Sequence, residues 1–472
     1  MFFLATIREG HVWGDDFSLY IRHAQNIVRG EPYAESGYIY NPQNPLVGPK
    51  IYPPGFPLLL APVVGVFGLE LRPMKILVIA FFVGSLLVMI PMFRRVMPPS
   101  HVAITVLIVG LNPFFWQFKD QVLSDLPFLF FLLVSLLLFM QADAGDDSAR
   151  HRTMLGVLCG VAAYAAYATR TLGLMLIPCY VAHDLIRYRR LTINAALAAA
   201  VAVALAGLQY VFWLHDDSYF DSLSSPLAVV RRNVPAYLQT LADLWENGYS
   251  NGVRRVLFLG AAAVAAVGYV SSWRARVSVL HLFPPLYLAP VLAWPSYQGM
   301  RFLIPVLPFY FCYCVLGVRW IDAAAARRGL AKKAGLTLFL TAIAVSYGAR
   351  YTTLEFGPFP DGIAKEESTQ LFEFVRASTR PQDVLVFSKP RALALMTGRR
   401  VSGPYNPANP CEMWKYVSRI EAGYIITGPD PDPLNEEAAY LREFVARFEP
   451  DLRRVMVNSS LAVYRIERNP CP

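Results

Sequence analysis

The chain has 472 residues, of which 55% are hydrophobic, 13% are aromatic and only 16% are charged. This composition excludes an ordinary soluble protein, in which about a quarter of the residues would be charged. It predicts an α-helical polytopic membrane protein. The formal net charge of +9 does not indicate a nucleic-acid partner, because the basic residues stand in short runs between apolar segments, as membrane topology requires.

The chain begins with a polar stretch that contains an acidic pair, Asp15-Asp16. Met1 to Ile7 is too short to span a membrane, so an outward position of the acidic pair predicts a first helix that is missing from this chain. Residues 8–72 are then the first external loop. Within it, Phe56 to Leu69 is apolar but short and flanked by proline, which favours an interfacial or half-inserted helix.

About 10–11 spans are predicted within residues 1–351, the expected transmembrane domain. Apolar stretches that span or nearly span a bilayer are Lys75 to Met92, His101 to Phe118, Ser124 to Gln141, Ile193 to Leu214, Val256 to Val270, Val277 to Ala293, Phe302 to Val318 and Ala334 to Arg350. A further apolar stretch, Thr153 to Ile186, is broken once, at Thr169-Arg170-Thr171.

Basic loops predict the orientation of these spans. The runs expected in the cytoplasm are Arg94-Arg95, Arg187 with Arg189-Arg190, Arg274 with Arg276, and Arg327-Arg328 with Lys332-Lys333. This orientation is self-consistent only if Thr153 to Ile186 crosses twice, with Arg170 at an outward-facing turn. The segments that then lie outside are the acidic pair, the loop around Lys119-Asp120, the loop from His215 to Gly252, the turn from Trp294 to Arg301 and the C-terminal tail. We expect a multi-pass protein of the plasma (inner) membrane with an extracytoplasmic site.

Residues 352–472 have the composition of a small soluble α/β domain. The predicted strands are Val384 to Phe387, Tyr424 to Thr427, Val455 to Val457 and Leu461 to Ile466. They alternate with helical patterns at Glu366 to Arg376, Arg391 to Met396 and Glu436 to Phe448. Because no phosphate-binding glycine loop and no Ser/His/Asp grouping occurs here, the domain is expected to serve recognition or support.

Two features of this tail allow alternatives. Cys411 and Cys471 are candidates for a disulfide, whereas the other four cysteines lie in apolar segments and none has ligand spacing for zinc. Asn458-Ser459-Ser460 fits both an N-glycosylation site and a hairpin turn, and the turn is favoured.

Three aspartates are candidates for chemistry. Asp15 and Asp16 start a predicted helix, and Asp125 heads an outward-facing membrane helix. Helix capping explains each of them equally well, since acids are favoured in a first turn. A functional interpretation gains from the nearby rigid turn Tyr52-Pro53-Pro54.

Three cations are candidates for binding an anion at the same face. Arg170 lies between apolar segments and needs an anionic partner, either a phosphate or carboxylate of a ligand or a structural ion pair with Asp125. Arg301 stands at a helix entrance, where it either binds an anion or anchors lipid headgroups. Lys50, close to the turn at Tyr52, either adds positive charge or is solvated.

The ordered set of motifs resembles the C-type glycosyltransferase superfamily, specifically glycosyltransferase family 39, which contains protein O-mannosyltransferases and the lipid A aminoarabinose transferase. The motifs that carry the resemblance are the acidic pair ahead of Tyr20 and Ala24, Tyr52-Pro53-Pro54 with the apolar Phe56 to Gly68, Asp125, Thr169-Arg170, and Arg301-Phe302 followed by Pro305 and Pro308. The resemblance covers roughly Gly14 to Leu316.

The resemblance implies transfer of a sugar from a polyprenyl-phosphate carrier to a lipid, glycan or protein acceptor on the outer side. In the family an aspartate of the first external loop is the general base, which implies Asp16 or the preceding Asp15. Asp125, with Tyr20 and Tyr52, would orient the acceptor or an arginine. Arg170, Arg301 and Lys50 would bind the donor phosphate. No cofactor is required, although the two outward acids make a divalent metal possible.

Two other functions are compatible with parts of the sequence. A transporter or flippase for lipid-linked saccharides would also use outward arginines and broken helices, but it predicts midplane charges and an internal repeat that the sequence lacks. An O-antigen ligase or polymerase would need arginines and a histidine in a large external loop, and the loop from His215 to Gly252 contains His215 and Arg231-Arg232.

Overall fold

The computed structural model describes residues 1–144, 148–213, 226–246, 248, 250–328, 334–360, 362–428 and 436–471. Three parts follow one another along the chain: a polar N-terminal segment, a helical membrane part and a C-terminal α/β part. Two features predicted from the sequence, His215 and the basic pair Lys332-Lys333, lie outside the described residues.

The N-terminal segment consists of three helices and one short strand: α1 (Phe2–Ala5), α2 (Asp15–Arg29), β1 (Tyr38–Ile39) and α3 (Gly55–Phe67). Helix α2 buries an apolar stripe that includes Phe17, Tyr20 and Ala24, which recur at the spacing of one helix face. It ends at Gly30, whose φ of 66° is the left-handed conformation that favours glycine at a helix C-terminus. Helix α3 corresponds to the short helix predicted at Phe56 to Leu69.

The membrane part contains thirteen helices among the described residues: α4 (Leu71–Phe93), α5 (Pro99–Gly110), α6 (Pro113–Phe118), α7 (Asp125–Ala144), α8 (Ala149–Thr169), α9 (Leu176–Tyr188), α10 (Ile193–Trp213), α11 (Pro226–Ala242), α12 (Asn251–Ala275), α13 (Val279–Leu292), α14 (Met300–Leu303), α15 (Leu307–Arg327) and α16 (Ala334–Tyr351). Five of these, α4, α7, α10, α12 and α15, are long and apolar enough to cross a membrane by length and composition. The predicted class, an α-helical polytopic membrane protein with a small C-terminal α/β part, is confirmed.

Prolines divide two of the predicted apolar stretches into separate helices. The stretch from His101 to Phe118 forms α5 and α6, because Pro113 starts a new helix and the Asn112 side chain accepts hydrogen bonds from its first amides. The stretch from Phe302 to Val318 is divided between α14 and α15 by a break that includes Pro305.

The stretch from Thr153 to Ile186 forms two helices, as the charge pattern predicted. Helix α8 ends at Thr169, Arg170 is extended with φ of −149° and ψ of 132°, and a 3-10 turn (Thr171–Met175) leads into α9. Arg170 therefore stands at the break between two helices, where its side chain is available to a site at their shared end.

The C-terminal part combines helices and strands: α17 (Glu366–Ser378), β2 (Val384–Val386), α18 (Pro390–Thr397), β3 (Arg400–Ser402), α19 (Pro410–Arg419), β4 (Ala422–Thr427), α20 (Glu436–Arg447), β5 (Leu452–Val457) and β6 (Ala462–Ile466). The sheet order is β1-β3-β2-β4-β6-β5. The first four strands are parallel, whereas β6 and β5 are antiparallel additions. The sequence did not predict β3 or α19.

The sheet also takes its edge strand from the N-terminal segment. Tyr38 of β1 is paired with Val401 of β3, more than 350 residues later in the chain. Near the same edge, Trp13 packs its ring against Phe372 and Phe387 of the C-terminal part, at centroid distances of 5.4 and 5.5 Å. The N-terminal segment and the C-terminal part are thus joined by both a strand pairing and a shared core, and the domain division at residue 351 stays a prediction.

The structure shows the conformation of both local features of the tail, the cysteine pair and the segment at Asn458. Cys411 and Cys471 form a disulfide, with Cα atoms 5.5 Å apart. Asn458 lies in the β5–β6 hairpin turn, where its side-chain oxygen accepts hydrogen bonds from the amides of Ser460 (3.1 Å) and Leu461 (2.8 Å). The hairpin-turn interpretation is therefore confirmed.

Candidate functional site

A cavity of about 140 Å³ lies where α2, the turn before α3, the α8–α9 break and the C-terminal part meet. Its wall includes the loop from Pro45 to Pro49 and the turn around Trp294 to Gln298. The charged and phenolic side chains that line it are Asp16, Tyr20, Tyr52, Arg170, Arg301 and Arg391. Five of these six residues were predicted to belong to one site, and the structure brings those five together.

The two acids of the pair have different surroundings. Asp16 lines the cavity and has 24% of its side-chain surface exposed, whereas Asp15 has only 8% exposed and does not line it. Neither acid caps α2, which begins after Gly14 without a side-chain cap. Asp15 instead accepts a hydrogen bond of 3.1 Å from the amide of Ala392, in the first turn of α18. A substrate in the cavity can therefore reach Asp16 but not Asp15.

Asp16 is held by two arginines and a phenol. Its Oδ2 forms an ion pair with Arg301, its Oδ1 lies 3.3 Å from Nη2 of Arg391, and the same Oδ1 accepts a hydrogen bond of 2.7 Å from the Tyr52 hydroxyl. Burial raises the pKa of Asp16, but the positive charges of Arg301 and Arg391 outweigh it, so this pKa lies well below its ordinary value. At neutral pH Asp16 is a carboxylate.

The pKa of Asp15 is shifted in the opposite direction. Burial raises the pKa of this carboxyl above its ordinary value, although the positive charge of Arg391, whose Nε lies 3.6 Å from Oδ2 of Asp15, opposes the shift. The neighbouring acids thus have pKa values shifted in opposite directions, because Asp15 is the more enclosed and Asp16 has a second arginine, Arg301.

Asp125 forms ion pairs with both predicted phosphate-binding arginines. It begins α7, and its carboxylate pairs with Nη1 of Arg170 and with Nε of Arg301, the latter at 3.1 and 2.9 Å from its two oxygens. The structural ion pair that was weighed for Arg170 is therefore present. Arg301 bridges Asp125 and Asp16, so the three charged residues that the sequence placed at separate helix ends form one chain of contacts.

The turn before α3 is held close to Arg170 by a glycine. A Cβ on Gly55 would stand 2.6 Å from the carbonyl of Ala168, so only glycine allows the backbone to approach here. Within this turn Tyr52 stacks on Tyr20 with centroids 4.7 Å apart, and the Tyr20 hydroxyl is 2.9 Å from that of Ser124. Both tyrosines line the cavity, and their predicted role in orienting an acceptor stays a prediction.

Lys50 is placed differently from the other predicted residues. Its side chain is exposed, and it does not line the cavity although its neighbours Pro49 and Tyr52 do. Arg231 and Arg232 of α11 also stay off the cavity wall, and Arg232 donates a hydrogen bond to the carbonyl of Pro295.

Arg391 of α18 is a site residue that the sequence did not reveal. It is buried, and its guanidinium contacts both acids, donates to the Tyr52 hydroxyl at 2.9 Å and donates to the carbonyl of Val47 at 2.7 Å. The available signal was its position shortly after a buried strand, β2, since sites in α/β folds lie at the carboxyl ends of strands.

Known proteins resemble this chain in their fold rather than in their sequence. No protein-family model matches the chain, and no curated protein matches it in sequence. Among solved structures, ArnT from Cupriavidus metallidurans bound to undecaprenyl phosphate is similar with a TM-score of 0.57 and 13% identity, over 98% of this chain and 95% of ArnT. The chain shares the fold of ArnT, as the resemblance seen in the sequence implied.

Two larger proteins are similar over part of their length. The oligosaccharyltransferase AglB from Archaeoglobus fulgidus, in complex with an inhibitory peptide and a dolichol-phosphate, has a TM-score of 0.59 and 13% identity over 89% of this chain and 66% of its own. The arabinofuranosyltransferase AftD from Mycobacteria has a TM-score of 0.50 and 13% identity over 99% of this chain and 41% of its own. These similarities establish the fold of this chain and leave its activity open.

A metal centre receives no support from the described residues. Among them, no group of three or more His, Cys, Asp or Glu side chains is arranged to hold a metal ion. The two acids that had suggested a divalent metal are occupied by arginines, since Asp15 and Asp16 both contact Arg391.

Proposed function

We propose that this protein is an integral-membrane glycosyltransferase that moves a sugar from a polyprenyl-phosphate carrier to an acceptor hydroxyl on the extracytoplasmic side. The observation that carries the proposal is one cavity in which a carboxylate, Asp16, faces the same space as two arginines, Arg170 and Arg301. ArnT and AglB, which share the fold, were solved with undecaprenyl phosphate and a dolichol-phosphate. On the extracytoplasmic side the cavity would have no access to cytoplasmic nucleotide sugars, so a lipid-linked donor would fit this proposed position.

Arg170 and Arg301 are the groups that would hold the donor phosphate. Both line the cavity, and Asp125 satisfies only part of the donor capacity of their two guanidinium groups. A planar guanidinium can donate two parallel hydrogen bonds to phosphate oxygens, and its charge stabilises the negative charge that develops on a leaving phosphate. In this proposal Asp125 positions the two arginines rather than touching the sugar.

Asp16 would act as the general base. It accepts the proton of the acceptor hydroxyl while the hydroxyl oxygen forms a bond to the anomeric carbon. The bond between that carbon and the phosphate oxygen breaks, and its electron pair leaves with the lipid phosphate. Asp15 is a poor candidate for this step, because it stays off the cavity wall and its carboxylate accepts the amide hydrogen bond of Ala392.

Donor binding would strengthen this base. A phosphate bound by Arg301 competes with Asp16 for the same guanidinium, and a carboxylate that loses a cationic partner regains a higher pKa. Asp16 would therefore be a weak base in the free protein and a stronger one once the donor is in place. This order would restrict proton removal to the complex in which a donor is present.

Arg391 would be a positioning residue supplied by the C-terminal part. It holds Asp16, the Tyr52 hydroxyl and the carbonyl of Val47 at once, so it fixes the base and the loop that closes the cavity. Glycine at position 48 makes room for it, since a Cβ there would stand 2.6 Å from the Arg391 guanidinium. The C-terminal part would then complete the site as well as contact the acceptor.

The test uses the purified protein in lipid nanodiscs with a panel of radiolabelled polyprenyl-phosphate sugars and a membrane extract as acceptor source. We expect one donor to pass its label to a new product with release of the carrier phosphate, and we expect Asp16→Asn to abolish this transfer. Asp243→Asn is the matched control, because it makes the same change on a half-exposed acid away from the cavity. Donor binding without transfer for every sugar, or label that crosses the bilayer unchanged, would contradict the proposal and favour a transporter.

A further inference from the structure

A second cavity, of about 510 Å³, lies at the opposite end of the membrane helices. Helix α7 connects the two ends: Asp125 at its start contacts Arg170 and Arg301 of the catalytic site, and Asp143 near its end lines the second cavity. Eighteen residues separate these aspartates, which corresponds to about 27 Å along a helix, close to the hydrocarbon thickness of a bilayer. The second cavity therefore opens at the other membrane face.

Arginines dominate the charged lining of this cavity. Arg95, Arg276, Arg319 and Arg327 line it, against one aspartate, Asp143. Asp143 is already engaged, because it lies 3.3 Å from Nη2 of Arg276 and accepts a hydrogen bond from the Tyr188 hydroxyl. The remaining three arginines give the cavity an excess of positive charge.

None of these three, Arg95, Arg319 and Arg327, forms an ion pair with a carboxylate in the described part of the chain, and Asp143 pairs with Arg187 and Arg276 instead. Arg319 and Arg327 are exposed residues of α15 and follow at four-residue spacings with Ala323 between them, so they lie along one side of the helix. Arg95 donates one hydrogen bond, to the carbonyl of Met140 at 3.2 Å. Their donors are therefore available to an anion in the cavity.

The deeper lining of the cavity is mainly apolar, with the buried rings of His183 and His281 beside the apolar side chains. Phe139, Met140, Val279 and Leu316 lie beside the arginines, and Trp320 on the rim is 48% exposed. A free inorganic anion gains nothing from apolar walls, whereas a lipid places a charged headgroup next to the first carbons of its acyl chains. Basic pockets between membrane helices are typical binding sites for anionic lipid headgroups.

We propose that this cavity binds the phosphate headgroup of an anionic phospholipid from the membrane leaflet opposite the catalytic site. Arg95, Arg319 and Arg327 would donate hydrogen bonds to the phosphate, and the apolar floor would receive the glycerol and the start of the acyl chains. The site uses none of the catalytic residues. A failure of the proposed transferase activity would therefore leave the lipid-binding proposal unaffected.

The test measures lipid binding by native mass spectrometry of the full chain in uncharged detergent, titrated with phosphatidylglycerol or phosphatidylcholine. We expect one phosphatidylglycerol to bind at least about tenfold more tightly than phosphatidylcholine, and we expect Arg319→Gln/Arg327→Gln to remove this preference. The matched control is Arg274→Gln/Arg328→Gln, which removes two exposed charges near the ends of α12 and α15 without touching the cavity. A second variant, Ala323→Phe, fills the cavity while every arginine is kept, and it should weaken binding as well.

Three outcomes would overturn the proposal. An equal loss in the control pair would show that basic residues attract anionic lipid without a site. The absence of a phosphatidylglycerol preference in the unmodified protein would show that the cavity has no such ligand. Displacement of the lipid by millimolar inorganic phosphate would show that the cavity binds free phosphate instead.

Discussion

The two walls of the candidate catalytic cavity use arginine in different ways. On the membrane-side wall, Arg170 and Arg301 keep 12% and 16% of their side-chain surfaces exposed while they pair with Asp125. On the domain-side wall, Arg391 keeps only 3% exposed and is surrounded by Asp15, Asp16 and the Tyr52 hydroxyl. A cation that substrate can reach suits binding of a phosphate, whereas an enclosed one suits the fixing of a carboxylate.

The largest expected effect lies at Asp16, where the two walls meet. Replacing it with asparagine removes the proton acceptor but keeps a side chain of similar size, so we expect the transfer rate to fall by about 10²–10⁴-fold with donor affinity retained. Rates of label transfer and of donor binding, measured on the same nanodisc samples, check this. Retained transfer would remove Asp16 from the role of base.

The membrane-side wall should show a binding defect instead. Arg170→Ala is expected to raise the apparent KM for the lipid donor by about tenfold to a hundredfold, because a charge-assisted pair to phosphate is lost. Arg170→Lys should restore only part of the affinity, since a lysine cannot donate the two parallel hydrogen bonds. Donor titrations at fixed acceptor provide the measurement, and an unchanged KM would mean that Arg170 serves only its ion pair with Asp125.

The domain-side wall should show a pH effect. Arg391 lowers the pKa of Asp16, so Arg391→Gln removes a cation and this pKa should rise. The acid limb of kcat/KM should then move to higher pH, because protonated Asp16 cannot accept a proton. Arg380→Gln, an exposed change in the same part of the chain, is the control and should leave the profile in place. An unmoved limb with a lower rate would indicate a purely structural role for Arg391.

The smallest effect is expected at Tyr52. Tyr52→Phe removes its hydrogen bonds with Asp16 and Arg391 but leaves the ring stacked on Tyr20. The loss of a hydrogen bond to a charged group predicts a decrease of about tenfold in kcat, with little change in thermal stability. A rate equal to that of the unmodified protein would mean that the arginines alone hold Asp16.

The same contrast explains what could be predicted from the sequence. Asp125, Arg170 and Arg301 could be found because single charges at the ends of apolar segments are costly and therefore conspicuous. Asp16 could be found as part of an acidic pair at the start of a predicted helix. Their grouping followed from topology, which places helix ends at one face. Lys50 lies off the cavity wall, because proximity in sequence to Tyr52 does not fix the direction of a side chain in a loop.

Arg391 could not be found in the same way. It lies in an eight-residue helix of a polar region, where an arginine is ordinary and its partners are more than 300 residues away. Likewise β1 and β3, with two and three residues, are too short to show an alternating pattern, so the strand pairing that brings α18 to Asp16 was not visible. Long-range pairings of short elements are decided by tertiary structure.

The most direct measurement of the central claim separates donor binding from transfer in one variant. Unmodified protein and Asp16→Asn, in identical nanodiscs, are saturated with the radiolabelled polyprenyl-phosphate sugar that the panel identifies, and bound donor and transferred label are followed through a single turnover. The account predicts equal donor binding in both and transfer only in the unmodified protein. Transfer at a comparable rate by Asp16→Asn would contradict it.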